Sequence, residues 1–235
     1  MSENTSAGGS VWLRPDRPGR GPAPEHSRAE IATAAIALAG ASGLAAVTMR
    51  SVAAAIGTGP SSLYRYVANR AELVELMADQ ARGELAADGT GPGEPAARLL
   101  TIAREGLVLY RRHPWLLDVP ATPVPGPNAI AFIEHCLTAL TGVDQPAAAR
   151  LETIALFSGA VRLCAQAEVE QRRAGRGAAQ WQGELAAYLT QVAGDGRHPH
   201  LAAALASAAG APAAGAGDPF ERAMAKILAG LLSAR

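Results

Sequence analysis

The chain has only two cysteines among its 235 residues, Cys136 and Cys164, which excludes a disulfide framework. Both fall in segments that read as buried helix, where a free thiol acts as a small hydrophobe. Aromatic residues are also scarce, 4% against 49% hydrophobic overall, so the core must come mostly from aliphatic side chains and alanine. No uninterrupted apolar run reaches the roughly 18 to 20 residues that cross a bilayer, and the alanine-rich stretch from His198 to Gly217 is broken by Gly and Pro. The N-terminus, beginning Ser2, Glu3, Asn4 and Thr5, lacks the apolar centre of a secretory signal. A soluble, cytoplasmic protein with no membrane partner is therefore expected.

Chemistry-bearing motifs are missing as well. There is no nucleophile motif, phosphate loop or paired metal-ligand spacing, so neither an enzyme nor a cofactor is expected. His198 and His200 flank Pro199 without a cysteine or carboxylate cluster at zinc-like spacing, and no metal site is assigned to them. Net charge is absent too, with 21 basic and 21 acidic residues, so the whole chain gives no argument for nucleic acid. Its distribution is uneven: residues 1–70 hold seven basic side chains against four acidic, leaving the positive field at the N-terminal end.

What is present is helical periodicity. Residues 1–26 are rich in Gly, Pro, Ser and Arg, and are expected to form an extended, mobile arm. Ser27 with Glu30 makes a capping box, followed by Ile31, Ala35 and Leu38 at helical spacing as far as Gly43. Thr48 can cap a second helix carrying Val52 and Ile56, ended by Gly57, and Gly59-Pro60 opens a short third. Asn69, with Glu72 three residues on, caps a fourth bearing Leu73, Leu76 and Met77.

Beyond a break at Gly89 to Pro95, a face of Leu100, Ala103, Leu107 and Tyr110 runs to a stop at His113-Pro114. After a proline-rich loop at 120–127, Ile130, Ile133, Leu137 and Leu140 mark a helix. The segment from Leu151 to Ala167 is apolar nearly all round, which predicts burial against more than one neighbour. Trp181, Leu185, Leu189 and Val192 mark another helix, and Phe220, Met224, Ile227, Leu228 and Leu231 the last. With no strand alternation, the fold class is all-α: an arm at 1–26, a helical unit at 27–88 that holds a candidate helix-turn-helix, and a larger helical domain at 94–235.

Residues 48–67 supply the parts of a helix-turn-helix. Ala53 is small where two helices cross, Gly57 makes the turn, and Leu63 and Val67 bury the third helix. At about 100° per residue, the direction opposite Leu63 and Val67 is taken by Arg65, flanked by Ser61 and Ser62, with Tyr64 and Tyr66 on the shoulders. Arginine can bond guanine bidentately, and serine and tyrosine can reach bases or phosphates. Geometry alone is equally compatible with an ordinary helical hairpin whose polar face is solvated.

The residues themselves resemble a family. Thr48-Met49-Arg50-Ser51-Val52-Ala53, Ile56-Gly57, Ser62-Leu63-Tyr64-Arg65-Tyr66-Val67 and Asn69-Arg70 with Glu72-Leu73 are similar to the DNA-binding head of TetR/AcrR-family transcriptional regulators. The arm, Trp12-Leu13-Arg14-Pro15 through Arg17-Pro18, is similar to that of members with an N-terminal extension. His113-Pro114-Trp115-Leu116 and Asp218-Pro219-Phe220-Glu221 resemble a tetracycline-repressor-type C-terminal domain. The resemblance implies that Arg50, Ser61, Ser62, Arg65 and Tyr66 face bases or nearby backbone, and that Tyr64 and Arg70 contact phosphate. It further implies a ligand-responsive repressor acting as a homodimer on palindromic double-stranded operator DNA, its dimer built on helices near Gln145 to Arg173 and Pro219 to Ser233.

An unidentified small-molecule effector would enter the C-terminal domain, with Tyr110, Trp115, Phe132, His135, Phe157, Arg162 and Trp181 as pocket candidates, although aromatics on apolar helices usually serve as core. Arg162 stands out in its apolar helix, because a buried charge needs a partner such as a ligand carboxylate or an acidic residue across the dimer. His113 sits where some relatives bind a metal-chelated drug, but His-Pro also reads as a simple helix stop, the reading favoured here. The alternatives are a helical small-molecule-binding protein without a defined operator, and an activator. The arm bearing Arg14, Arg17 and Arg20 is a candidate for an adjacent minor groove.

Overall fold

The computed structural model describes residues 10–13, 25–85, 93–120, 124–173, 178–194, 196–210 and 218–233. Among these, ten α-helices and no strand are found: α1 (Arg28–Ser42), α2 (Met49–Ala55), α3 (Pro60–Leu63), α4 (Arg70–Arg82), α5 (Pro95–Arg112), α6 (Pro127–Ala139), α7 (Ala147–Arg173), α8 (Ala178–Ala193), α9 (Pro199–Gly210) and α10 (Pro219–Ser233). Short 3₁₀ turns at Val11–Leu13, Leu44–Ala46 and Pro114–Asp118 complete the architecture. The fold is all-α, as the periodicity predicts.

Local signals set the first four helices. The Ser27 hydroxyl accepts from the Glu30 amide, and the Glu30 carboxylate accepts from the Ser27 amide at 2.7 Å, satisfying two amides that the first turn of α1 leaves open. Thr48 and Ser51 make the same reciprocal box at α2, and Asn69 caps α4 through the Glu72 amide. Gly43 and Gly57 have φ of 79° and 73°, a left-handed backbone that side chains disfavour and that turns the chain out of α1 and α2.

Two apolar cores follow. The first gathers Ile31, Val52, Leu63, Val67, Leu73 and Met77 from the four N-terminal helices, with Leu109, Trp115, Leu116 and Val119 from the end of α5 and the turn after it. The second joins α5, α6, α7 and α10 through Leu99, Ile102, Leu140, Phe157, Met224 and Leu228. Helix α5 therefore belongs to both, and its buried set is wider than the expected stripe: Leu99, Ile102, Gly106 and Leu109 are enclosed, whereas Leu100 and Tyr110 are only partly covered. A Cβ at Gly106 would stand 3.2 Å from Val161, so the small residue lets α5 and α7 approach.

Three sequence expectations change here. Val11 is buried in the first core and its carbonyl accepts from Arg28 (3.3 Å), so the chain is docked at Val11 and Trp12, while Leu13 is exposed. Arg14, Arg17 and Arg20 lie outside the described residues. Helix α7 buries one face only, through Thr153, Ile154, Phe157, Val161, Ala165 and Val169, while Leu156 and Leu163 are 61% and 68% exposed. Cys136 is buried, its thiol pushed up to about 12 by loss of solvent, but Cys164 is only partly covered.

Helix α4 links the two halves. Asp79, 3% exposed, accepts from the Asn128 amide (3.1 Å), the Asn128 side chain (3.0 Å) and the Ala129 amide (3.0 Å), and so caps α6, whose own N-cap residue is Gly126. Any side chain at Gly126 would run into the Asp79 carboxylate and the Trp12 ring. Just beyond α4, Glu84 holds Arg112 (2.6 Å) and His113 (2.7 Å) at the end of α5. Burial pushes the Glu84 carboxyl up, but the hydrogen bonds and charges of His113 and Arg112 outweigh it and leave it below its ordinary range.

Candidate DNA-reading head and effector cavity

The short helix α3 stands on Leu63, fully buried, with Val67 equally buried behind it. Opposite them Ser61, Tyr64 and Arg65 are exposed and Ser62 is partly so, with Arg50 exposed on neighbouring α2. The predicted arc of Ser61, Ser62 and Arg65 is therefore assembled on one outward surface, with Tyr64 beside it.

Tyr66 is not on that surface. It is 7% exposed, its hydroxyl accepts from the His26 amide (3.4 Å), and its carbonyl accepts from Arg28 (3.2 Å). The expected position assumed a continued α-helix, but the chain tightens: the Arg65 amide reaches Ser62 (3.2 Å) and the Tyr66 amide reaches Leu63 (2.9 Å). At three residues per turn, Tyr66 lies over Leu63 on the buried side.

Arg70 has partners that sequence alone does not reveal. Its Nε donates to the Val47 carbonyl (2.6 Å) and its Nη2 to the Leu44 carbonyl (2.8 Å), fixing the turn ahead of α2 while leaving other guanidinium donors open.

Behind the head, α4, α5, α6 and α7 enclose a cavity of about 550 Å³ whose wall is largely aliphatic and aromatic. Of the predicted pocket residues, Tyr110, Phe132, Phe157 and Arg162 line it. Trp115 does not: it is buried in the first core, edge-on to His113 with ring centroids 5.7 Å apart. His113 itself ends α5, its amide bonded to Leu109 (2.8 Å), in keeping with a helix stop. His135 lines a separate recess of about 60 Å³, and Trp181 on α8 is 39% exposed and away from the cavity. Trp115, His135 and Trp181 thus lie outside the cavity lining, since helical periodicity cannot tell which of several apolar faces surrounds a void.

Arg162 finds its partners inside the chain. Its guanidinium donates to the carbonyls of Leu117 (2.6 Å), Val119 (3.2 Å) and Leu116 (3.4 Å), so neither a ligand nor an acidic side chain is needed to satisfy it. Arg82 and Ser158 also line the cavity and were not anticipated. Arg82 reads in sequence as an ordinary basic residue complementing the C-terminal dipole of α4, and only the packing of α6 and α7 reveals its other surroundings.

A helix-turn-helix with one apolar side anchored and one polar side free, carried on an all-helical domain, defines a transcriptional regulator. The chain matches the description of bacterial regulatory proteins of the tetR family over residues 31–77, and that of the tetracyclin repressor-like C-terminal domain over residues 89–235. It belongs to the TetR family.

It is 37% identical over 216 residues to the HTH-type transcriptional repressor DrrR1 of Streptomyces coeruleorubidus, covering 86% of this chain and 79% of that one. Apo ActR from Streptomyces coelicolor superposes with a TM-score of 0.69 at 25% identity, over 90% of this chain and 96% of that chain. ActR in complex with (S)-DNPA gives 0.68 at 26% identity, over 88% and 98%. No described helix is long and apolar enough to cross a membrane.

Proposed function

We propose that this protein is a ligand-responsive repressor that binds a palindromic operator as a homodimer, with residues 27–88 as its head and 94–235 as its effector and dimerisation domain. The observation that carries the reading is α3 with the turn that follows it, which together bury Leu63 and Val67 completely while Ser61, Tyr64 and Arg65 stay exposed. Arg65 and the serines would read base edges, and Arg50, Tyr64 and the free donors of Arg70 would hold the backbone. Two such heads require a twofold partner, and the uncovered leucines of α7 supply a surface for one. Such a repressor works in the cytoplasm, beside the DNA it reads.

The cavity supports the sensing half. Its volume lies within the range of about 300 to 1,000 Å³ usual for small-molecule sites, and ActR, which shares the fold, is known in complex with (S)-DNPA. Effector binding would act through α4, which touches both the head and the cavity. Coupling needs different effector affinities in the DNA-bound and released arrangements, typically about 1 to 3 kcal/mol.

The test is a gel-shift titration of purified protein on the DNA upstream of its own gene, at several salt concentrations, against random-sequence competitor. Specific binding should exceed competitor binding by about a thousandfold or more. Equal binding to both at every salt concentration would overturn the repressor reading in favour of a ligand-binding protein without an operator in that DNA.

A further inference from the structure

The chemistry of the cavity wall constrains its occupant, an argument that rests on reading the cavity as the effector site. Among the described residues two guanidinium groups line it, Arg82 and Arg162, and none of the lining side chains is acidic. Arg162 is held by three backbone carbonyls. Arg82 is partly buried in the last turn of α4, and among the described residues its guanidinium has no hydrogen-bond or ion-pair partner. Nearby carboxylates are already engaged, Glu84 by Arg112 and His113 and Asp79 by the N-terminus of α6.

A neutral apolar ligand filling this space would strip water from Arg82 and return nothing to its charge. A ligand carboxylate would replace that water with a charge-assisted, bidentate pair. The same wall offers Tyr110, Phe132 and Phe157, which suit a flat ring system.

We propose that the effector is an aromatic acid, its ring system seated against Phe132, Phe157 and Tyr110 and its carboxylate paired with Arg82. Because Arg82 ends the helix that leaves the head, the anion engages the element through which release of DNA is transmitted. Selection by charge follows from the same pair, since the uncharged analogue leaves a desolvated cation behind.

The probes are anthraquinone-2-carboxylate and its uncharged carboxamide, titrated calorimetrically into full-length protein and added to protein bound to operator DNA. The acid should bind about tenfold or more tighter than the amide, and release DNA at correspondingly lower concentration. In Arg82→Gln the preference should vanish, with acid affinity falling about tenfold and amide affinity nearly unchanged, while Arg82→Lys keeps part of it. Circular dichroism melts of both variants establish that they are folded. Equal binding of acid and amide to the native protein, or an acid preference that survives in Arg82→Gln, overturns the charge assignment and leaves the cavity as a ligand site. Failure of both compounds to bind overturns the aromatic-acid assignment, whereas the repressor reading falls only if the protein shows no preference for the upstream DNA over random competitor.

Discussion

Arg65 and Arg70 are five positions apart and are placed for different work. Arg65 is exposed and its side chain makes no hydrogen bond among the described residues, so Arg65→Ala should leave unfolding within about 0.5 kcal/mol of the parent while costing about 1 to 3 kcal/mol in operator binding. Arg70 ties the Leu44 and Val47 carbonyls to α4. Arg70→Ala should therefore lower stability by about 1.5 to 3 kcal/mol, on top of the sequence-independent loss of affinity expected from a phosphate contact. Urea unfolding alongside gel-shift titration checks both, and an unchanged unfolding midpoint in Arg70→Ala would deny its structural role. The sequence exposes both side chains to inspection, but the carbonyls that engage Arg70 lie 23 and 26 residues away.

Helix α7 is the element that the single chain leaves incomplete. Its 27 residues span about 40 Å, and one side is spent on the cavity and second core. On the other, Leu156 and Leu163 stand seven residues apart, with exposed Glu152, Gln166 and Glu170 as polar neighbours. Exposed Ala225 and Ala229 on α10, four apart, are small enough to admit a close helix. Each leucine buried in a dimer contributes about 1.5 to 3 kcal/mol, twice over by symmetry. Leu156→Glu with Leu163→Glu should convert a sedimenting dimer to a monomer with little change in helix content. A native protein that sediments as a monomer at micromolar concentration would remove the dimer proposal. The nearly all-round apolar sequence of α7 predicts burial on more than one side, but the packed chain covers only one.

At the scale of the whole molecule, the head and the cavity are joined through α4, whose residues belong to the first core while Asp79 holds α6 and Arg82 faces the cavity. In the proposed mechanism, motion of α6 around a ligand would reach the head through its contact with α4. Removing the Asp79 carboxylate leaves buried N-terminal amides of α6 without an acceptor. Asp79→Ala should lower global stability by about 1 to 3 kcal/mol, read as a reduced urea midpoint, and Asp79→Asn, which keeps one acceptor, should lose less. An unchanged midpoint in Asp79→Ala would show that this link carries no stability.

The sequence by itself determined the helices of the head, their caps at Ser27, Thr48 and Asn69 and the turn at Gly57, because each is satisfied by groups within about four residues. It also determined the outward Ser61, Ser62 and Arg65, since a segment anchored by the apolar Leu63 and Val67 turns its polar residues the other way. Tertiary structure alone decided that Tyr66 turns inward, that Val11 and Trp12 dock at the junction, that Arg162 is satisfied by backbone and that Arg82 faces the cavity. Those outcomes depend on groups far apart in the chain, 40 residues for Tyr66 and His26 and 45 for Arg162 and Leu117. Local periodicity carries no record of such distances; packing sets them.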